Sequence, residues 1–219
     1  NSNLIDKIYQ GLEKLGVNRM ELTSQDLSTV DEFHIGGIEG TRLLVDHLSI
    51  DQSSNVLDLG CGIGGPARFI SNLIGCRVTG IDLTSDFVNT GNELTNAVGL
   101  AELVELVQGS ALRMPFSDSM FDVSYMIHVG MNIEDKKTLM AEAFRVTKPG
   151  GKFGIYDVML TSPAEISYPL PWAETEEGNA IANPETYKNQ LVAADLRMRF
   201  ASISGRSGFF RKLSSLSSF

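Results

Sequence analysis

The 219-residue chain has no run approaching the ~18 apolar residues that a membrane-crossing helix needs. Its start, Asn1-Ser2-Asn3-Leu4-Ile5-Asp6-Lys7, does not read as a signal peptide, so a cytoplasmic setting is the expectation. Basic residues are scarce: 18 Lys and Arg stand against 27 Asp and Glu, a net charge of -9. This balance disfavours nucleic acid as a partner, because phosphates need a basic face, and weakly favours a cationic ligand. Only two cysteines occur, Cys61 and Cys76. They lack metal-like spacing and one lies in a glycine loop, so they argue against a disulfide framework and are read as reduced thiols, with no metal site. What is present, 42% hydrophobic and 21% charged residues, is a globular composition, sufficient for one domain with a substantial core.

Leu4, Ile5, Ile8, Leu12 and Leu15 recur at helical spacing and Gly16 follows, so the chain opens on a helix. Thr23 to Asp31 reads as a polar linker, and Thr41 to Leu48 as a helix. From there short apolar strands alternate with longer helices. Strands are expected at Val56–Leu59, Arg77–Ile81, Leu103–Gln108, Asp122–Ile127 and Lys152–Val158. Helices are expected at Pro66–Ile74, Thr84–Val98 and about Glu134–Val146, where Glu134-Asp135 suits the positive end of the dipole. Such alternation specifies an α/β fold, a doubly wound parallel sheet with helices on both faces. Residues 1–50 read as an N-terminal helical cap and residues 51–219 as the core, with a Pro- and Glu-rich excursion at about 161–183 and a helix from Pro184. Leu196 to Ile203 can supply a late strand, and the serine-rich end offers no convincing second one: either that strand is missing or a helix around Phe209 to Leu216 replaces it.

After the first strand comes Asp58-Leu-Gly-Cys-Gly-Ile-Gly-Gly65, in which Gly60, Gly62 and Gly65 satisfy G-x-G-x-x-G. The glycines permit a tight turn and let a ligand approach the main chain. A dinucleotide would set its pyrophosphate on the amides opening the Pro66 helix, close to the Asp58 carboxylate, and like charges in a dry site repel. An ammonium-bearing ligand reverses that sign. Asp82 ends the second strand, 22 residues after Gly60, where an acid can accept bonds from ribose hydroxyls. Thr84 is a good helix cap, which leaves Asp82 free for that role.

With these residues on the page, the stretch from Val56 to Val158 resembles the class I S-adenosylmethionine-dependent methyltransferases, whose sheet is Rossmann-like. V-L-D-L-G-C-G-I-G-G-P-A-R-F is similar to their first motif, V-T-G-I-D-L to their second-strand acid, M-P-F-S-D-S-M-F-D-V to their fourth-strand approach, and A-F-R-V-T-K-P-G-G to their turn into strand five. Gly64-Gly65-Pro66-Ala67-Arg68 and Asp31-Glu32-Phe33-His34 resemble the small-molecule branch that includes sarcosine/dimethylglycine, tocopherol, ubiquinone/menaquinone and sterol methyltransferases. The resemblance implies S-adenosyl-L-methionine as cofactor, held by Asp58, Gly60, Cys61, Gly62, Asp82, Leu83, Ser110, Ala111 and His128. One position departs: Gly109-Ser110-Ala111 stands where relatives carry Gly-Asp-Ala, so a neutral hydroxyl replaces the carboxylate that bonds the adenine amino group.

Ligands of doubly wound sheets lie beyond the carboxyl ends of the strands. The methyl acceptor is therefore expected among His34, Asn132, Tyr156, Asp157 and Trp172, with His128 as a candidate base. Asp157 with Trp172 would suit an amine, while a phenol or an apolar quinone precursor stays open. Met114, Met120, Met126 and Met131 read as core or pocket filler. Two other functions stay open, a nucleotide-dependent oxidoreductase and a cofactor-binding domain without turnover. The expected partner is a small-molecule acceptor, and the expected assembly a monomer or homodimer.

Overall fold

The computed structural model describes residues 3–162 and 165–194. The late strand expected over residues 196–203 and the helix over 209–216 lie outside the described residues. Among the described residues five strands form one all-parallel sheet: β1 (Asn55–Leu59), β2 (Arg77–Asp82), β3 (Val104–Gln108), β4 (Phe121–Ile127) and β5 (Thr147–Tyr156), in the order β3-β2-β1-β4-β5. The order reverses between β1 and β4, which opens a crevice at their carboxyl ends. In register, Asp58 of β1 stands beside Gly80 of β2 and Tyr125 of β4.

Alternation along the strands decides which side chains meet which helices. Val56, Val78, Val104, Val123 and Tyr125 face α3 (Gly37–Leu48) and α4 (Gly65–Ile74), packing on Val45, Leu48, Ala67 and Ile70. Leu57, Leu59, Ile81 and Met126 face the other way, onto Leu139, Met140 and Ala143 of α6 (Lys136–Val146) and Tyr187 and Leu191 of α7 (Pro184–Ala193). Asp135 caps α6 through a 2.9 Å bond from the Thr138 amide, the role its acidity suggested. A third core joins α1 (Leu4–Lys14), α2 (Ser24–Asp31) and α5 (Ser85–Ala97) through Ile5, Ile8, Leu12, Leu27, Leu94 and Ile63 of the glycine loop. Burying a leucine such as Leu12 or Leu27 contributes about 1.5–3 kcal/mol.

Two expectations are corrected. Thr23 to Asp31 is not a linker: Thr23 and Asp26 form a capping box, and Leu27 is completely buried, so the segment from Ser24 is α2. Met114, Met126 and Met131 are core, but Met120 is 44% exposed, lying just before β4 where its backbone bonds Val146 and its side chain meets solvent.

Candidate functional site

The loop between β1 and α4 takes left-handed torsions at Gly60 (φ 71°), Gly62 (φ 54°) and Gly64 (φ 82°). A Cβ on Gly60 would lie 2.5 Å from Val129, so the β1 and β4 loops touch across the crevice. A Cβ on Gly62 would meet nothing within 4 Å. The loop thus presents open space at its tip and close packing at its base. Cys61 is structural: its amide and the Gly60 amide both bond the Ile81 carbonyl, its own carbonyl accepts from Gly64, and its thiol is buried.

Asp82 is not free, because Thr84 makes no side-chain cap. Its Oδ2 accepts from the Gly62 amide at 2.8 Å and its Oδ1 from the Thr84 amide at 2.9 Å. Each oxygen keeps a second lone pair, so Asp82 fixes the loop and can still accept a hydroxyl. Leu83 beside it is 71% exposed. Ser110 Oγ accepts from the Leu112 amide at 3.2 Å, and Ala111 packs at the edge of the α6 core.

Asp58 is only 2% exposed, and its Oδ2 makes no well-formed hydrogen bond; the nearest donor is the hydroxyl of neighbouring Tyr125, which has no other partner and favours the ionised carboxylate. Burial, with the Asp82 charge adding to it, pushes the Asp58 carboxyl up to about 7. The same buried region holds two further acids. Asp31 pairs with Arg68 at 2.8 Å, and the guanidinium also bonds the Gly91 carbonyl and Thr95, tying α2, α4 and α5 together. Burial pushes Glu32 up to about 8, with Asp31 and Asp58 adding to it.

On the acceptor side three rings converge. His128 stacks on Tyr156 at 5.6 Å, and His34 meets both edge-on, at 5.8 Å from His128 and 6.0 Å from Tyr156. The Tyr156 hydroxyl donates to the Ile35 carbonyl at 2.9 Å, pinning the Phe33–Gly37 segment over the strand ends. His128 has φ 56°, a strained position for a non-glycine residue. Burial, with His34 adding to it, holds its imidazole down to about 4, so the ring is neutral at neutral pH.

The other expected acceptor residues also make bonds within the protein. Asn132 is exposed and donates to the His128 carbonyl at 3.3 Å. Asp157 accepts from the Tyr187 hydroxyl at 2.7 Å, and burial pushes its carboxyl up to about 6 against that bond. Trp172 instead donates to Asn179 at 3.1 Å, inside the excursion. The proposed Asp157 and Trp172 amine pair therefore serves two different networks. Sequence reasoning missed Tyr187 and Lys136, which reaches the Ile133 and Ala180 carbonyls from the start of α6 and holds the excursion against the β4 loop. It also missed Thr41, Tyr125 and the separate roles of Asp31 and Glu32. The available signal was Arg68, a charge inside the apolar helix Pro-Ala-Arg-Phe-Ile.

A glycine loop over a buried acid at the switch point, with a second acid ending β2, defines a nucleoside-binding α/β domain of the doubly wound class. Residues 57–155 match the family described as Methyltransferase domain. Methyltransferase phqN of Penicillium fellutanum is 31% identical over 68% of this chain and 47% of its own length. Sterol 24-C-methyltransferase ERG6B of Gibberella zeae is 36% identical over 54% of this chain and 31% of its own. The glycine/sarcosine/dimethylglycine N-methyltransferase of Actinopolyspora halophila is 28% identical over 90% of this chain and 34% of its own. Among solved structures, the [4+2]-cyclase SpnF superposes with a TM-score of 0.63 at 25% identity, covering 70% of this chain and 54% of that one. Over residues 57–155 the chain is thus similar to a methyltransferase domain, and over a longer stretch to methyltransferases of small molecules. It spans less than half the length of the three curated relatives named.

Proposed function

We propose that this chain binds S-adenosyl-L-methionine and methylates a small-molecule acceptor. The buried Oδ2 of Asp58, which makes no well-formed hydrogen bond, carries the reading: a carboxylate set under the glycine loop suits an ammonium and repels a pyrophosphate. The other residues fit the same ligand. Gly62 leaves room at the loop tip, Asp82 has lone pairs for ribose hydroxyls, exposed Leu83 offers an apolar surface for a base, and Ser110 can accept from an amino group. When bound, S-adenosylmethionine supplies an electrophilic methyl group on a sulfonium sulfur. His128, Tyr156 and the Phe33–Gly37 segment orient the acceptor and exclude water, and neutral His128 takes a proton where the acceptor must lose one.

Amine acceptors suit the acidic chain and the neutral rings, and one relative named above is an N-methyltransferase. A carbon acceptor is the second reading, favoured by the sterol 24-C-methyltransferase relative. Calorimetry with S-adenosylhomocysteine and with NADH tests the cofactor. Binding of NADH alone overturns the proposal in favour of an oxidoreductase. Methyl transfer is then sought across amines, phenols and lipid precursors; S-adenosylhomocysteine binding without any turnover leaves a binding domain.

A further inference from the structure

Glu32 closes α2 with a side chain only 3% exposed, and the cofactor reading gives it no role. Its Oε2 accepts from Thr41 Oγ1 at 2.9 Å and lies 3.5 Å from Nδ1 of His34, while Oε1 has no partner. The His34 side chain is equally enclosed, and its Nε2 lies 2.9 Å from the Gly37 carbonyl and 3.2 Å from Thr41 Oγ1. A carbonyl can only accept, and Thr41 has given its proton to Glu32, so Nε2 carries the ring hydrogen. The neutral ring must then turn the lone pair of Nδ1 toward Glu32. Two lone pairs facing each other in a water-poor site repel, and one proton between them removes the conflict.

We propose that Glu32 keeps a proton on Oε2, directed at Nδ1 of His34 3.5 Å away, and that Glu32 is a positioning residue that holds His34 against His128 and Tyr156. The existence of the pair rests on its own geometry; its meaning for the acceptor rests on the methyltransferase reading above. The charged and titratable groups facing Glu32 are Asp31 of α2, Asp58 of β1, Arg68 of α4 and Tyr125 of β4. Arg68 is already bonded to Asp31, so neither Glu32 nor Asp58 has a cation of its own. His34 is faced by His128 and Tyr156 and by no carboxylate other than Glu32 among its described contacts. A carboxyl pushed up to about 8 agrees with a proton kept at neutral pH. The pair explains why His34, expected to touch the acceptor, is instead enclosed with both nitrogens engaged. It acts on the acceptor through the His128 and Tyr156 rings.

Two-bond proton–nitrogen spectra of the full chain test the pair, since three histidines give three separable rings. We expect His34 as the Nε2–H tautomer at neutral pH, with a step in its Nδ1 shift near pH 8 as Glu32 loses the proton directed at it. Glu32→Gln abolishes that step. Thr41→Val moves it to higher pH, because the hydroxyl it removes favours the ionised carboxylate. Should Glu32→Gln fail to fold, the wild-type step and its upward move in Thr41→Val decide the matter. An Nδ1–H tautomer, a step that survives Glu32→Gln, or no displacement in Thr41→Val overturns the pair. Calorimetry of the wild type with S-adenosylhomocysteine separates the two readings. Loss of binding with the step intact overturns the cofactor assignment alone, and binding with a step unchanged in Glu32→Gln overturns the pair alone.

Discussion

If Asp58 is the ammonium contact, cofactor affinity must depend on pH in a window where most enzymes' carboxylates are silent. Only the ionised form attracts an ammonium, and burial pushes this carboxyl from its ordinary 3.8 up to about 7. At pH 6 about a tenth of the molecules carry the charge and at pH 8 about nine tenths, so the apparent Kd for S-adenosylhomocysteine falls about tenfold between them. Binding at pH 6 releases close to one proton, which calorimetry in two buffers of different ionisation enthalpy counts directly. Asp58→Asn keeps the shape without the charge. It should weaken binding by about 10- to 100-fold, the worth of a charge-assisted hydrogen bond of about 1.5–3 kcal/mol, and flatten the pH dependence. Glu32→Gln serves as a control, since Glu32 also titrates nearby.

The unliganded protein gives an independent check of the same carboxyl. Its folded pKa is raised, so the folded state binds a proton that the unfolded chain has lost between pH 3.8 and about 7. The stability contribution of Asp58 is therefore full below 3.8, erodes as pH rises through that window, and is gone above it. The displacement corresponds to about 4 kcal/mol. The difference in urea stability between wild type and Asp58→Asn should carry that slope, with the variant relatively more stable at pH 8 than at pH 4. A Kd that is flat from pH 6 to 8 with no proton release refutes the role assigned to Asp58.

Replacing Arg68 with Met leaves the buried Asp31 carboxylate without its ion-pair partner; unfolding in urea should show a loss of about 3–5 kcal/mol at pH 7, smaller at lower pH, where the raised Asp31 carboxyl takes a proton. Gly65→Ala would place a Cβ 2.2 Å from the Asp31 carbonyl, so α2 must shift; we expect a cost of about 1–3 kcal/mol by the same measurement. Ser110→Asp should tighten S-adenosylhomocysteine binding about fivefold, about 1 kcal/mol, and an unchanged Kd would place Ser110 away from the base. With an acceptor in hand, His128→Ala should lower kcat about 100-fold at saturating cofactor, and the wild-type acid limb should fall near pH 4 instead of 6.5.

How much of this could be read without a structure follows from the range of the interactions involved. The strands, α4 to α6 and the glycine loop are written in local patterns: apolar runs, caps and left-handed glycines within a few residues of one another. Asp58 was legible for the same reason, since its place two residues before Gly60 fixes it beneath the loop. The acceptor side was less legible because its contacts join distant segments. His34 and His128 are 94 positions apart, Asp157 and Tyr187 are 30 apart, and no spacing rule reports on either pair. Reading His34, Asp157 and Trp172 as acceptor contacts rests on polar residues near the strand ends facing the crevice, and the structure adds bonds that no spacing announces. Each has a partner inside the protein, because a buried polar group without one costs about 1–3 kcal/mol. Asp58 Oδ2 has no well-formed bond and only the Tyr125 hydroxyl beside it, and that is a physical reason to place the ligand's cation against it. The Oε1 atom of Glu32 is also unpartnered, but Glu32 has Thr41 and His34 at its other oxygen, so its charge can be settled by a proton. Asp58 lies beneath a loop whose tip is open, where a cation from outside can settle it instead.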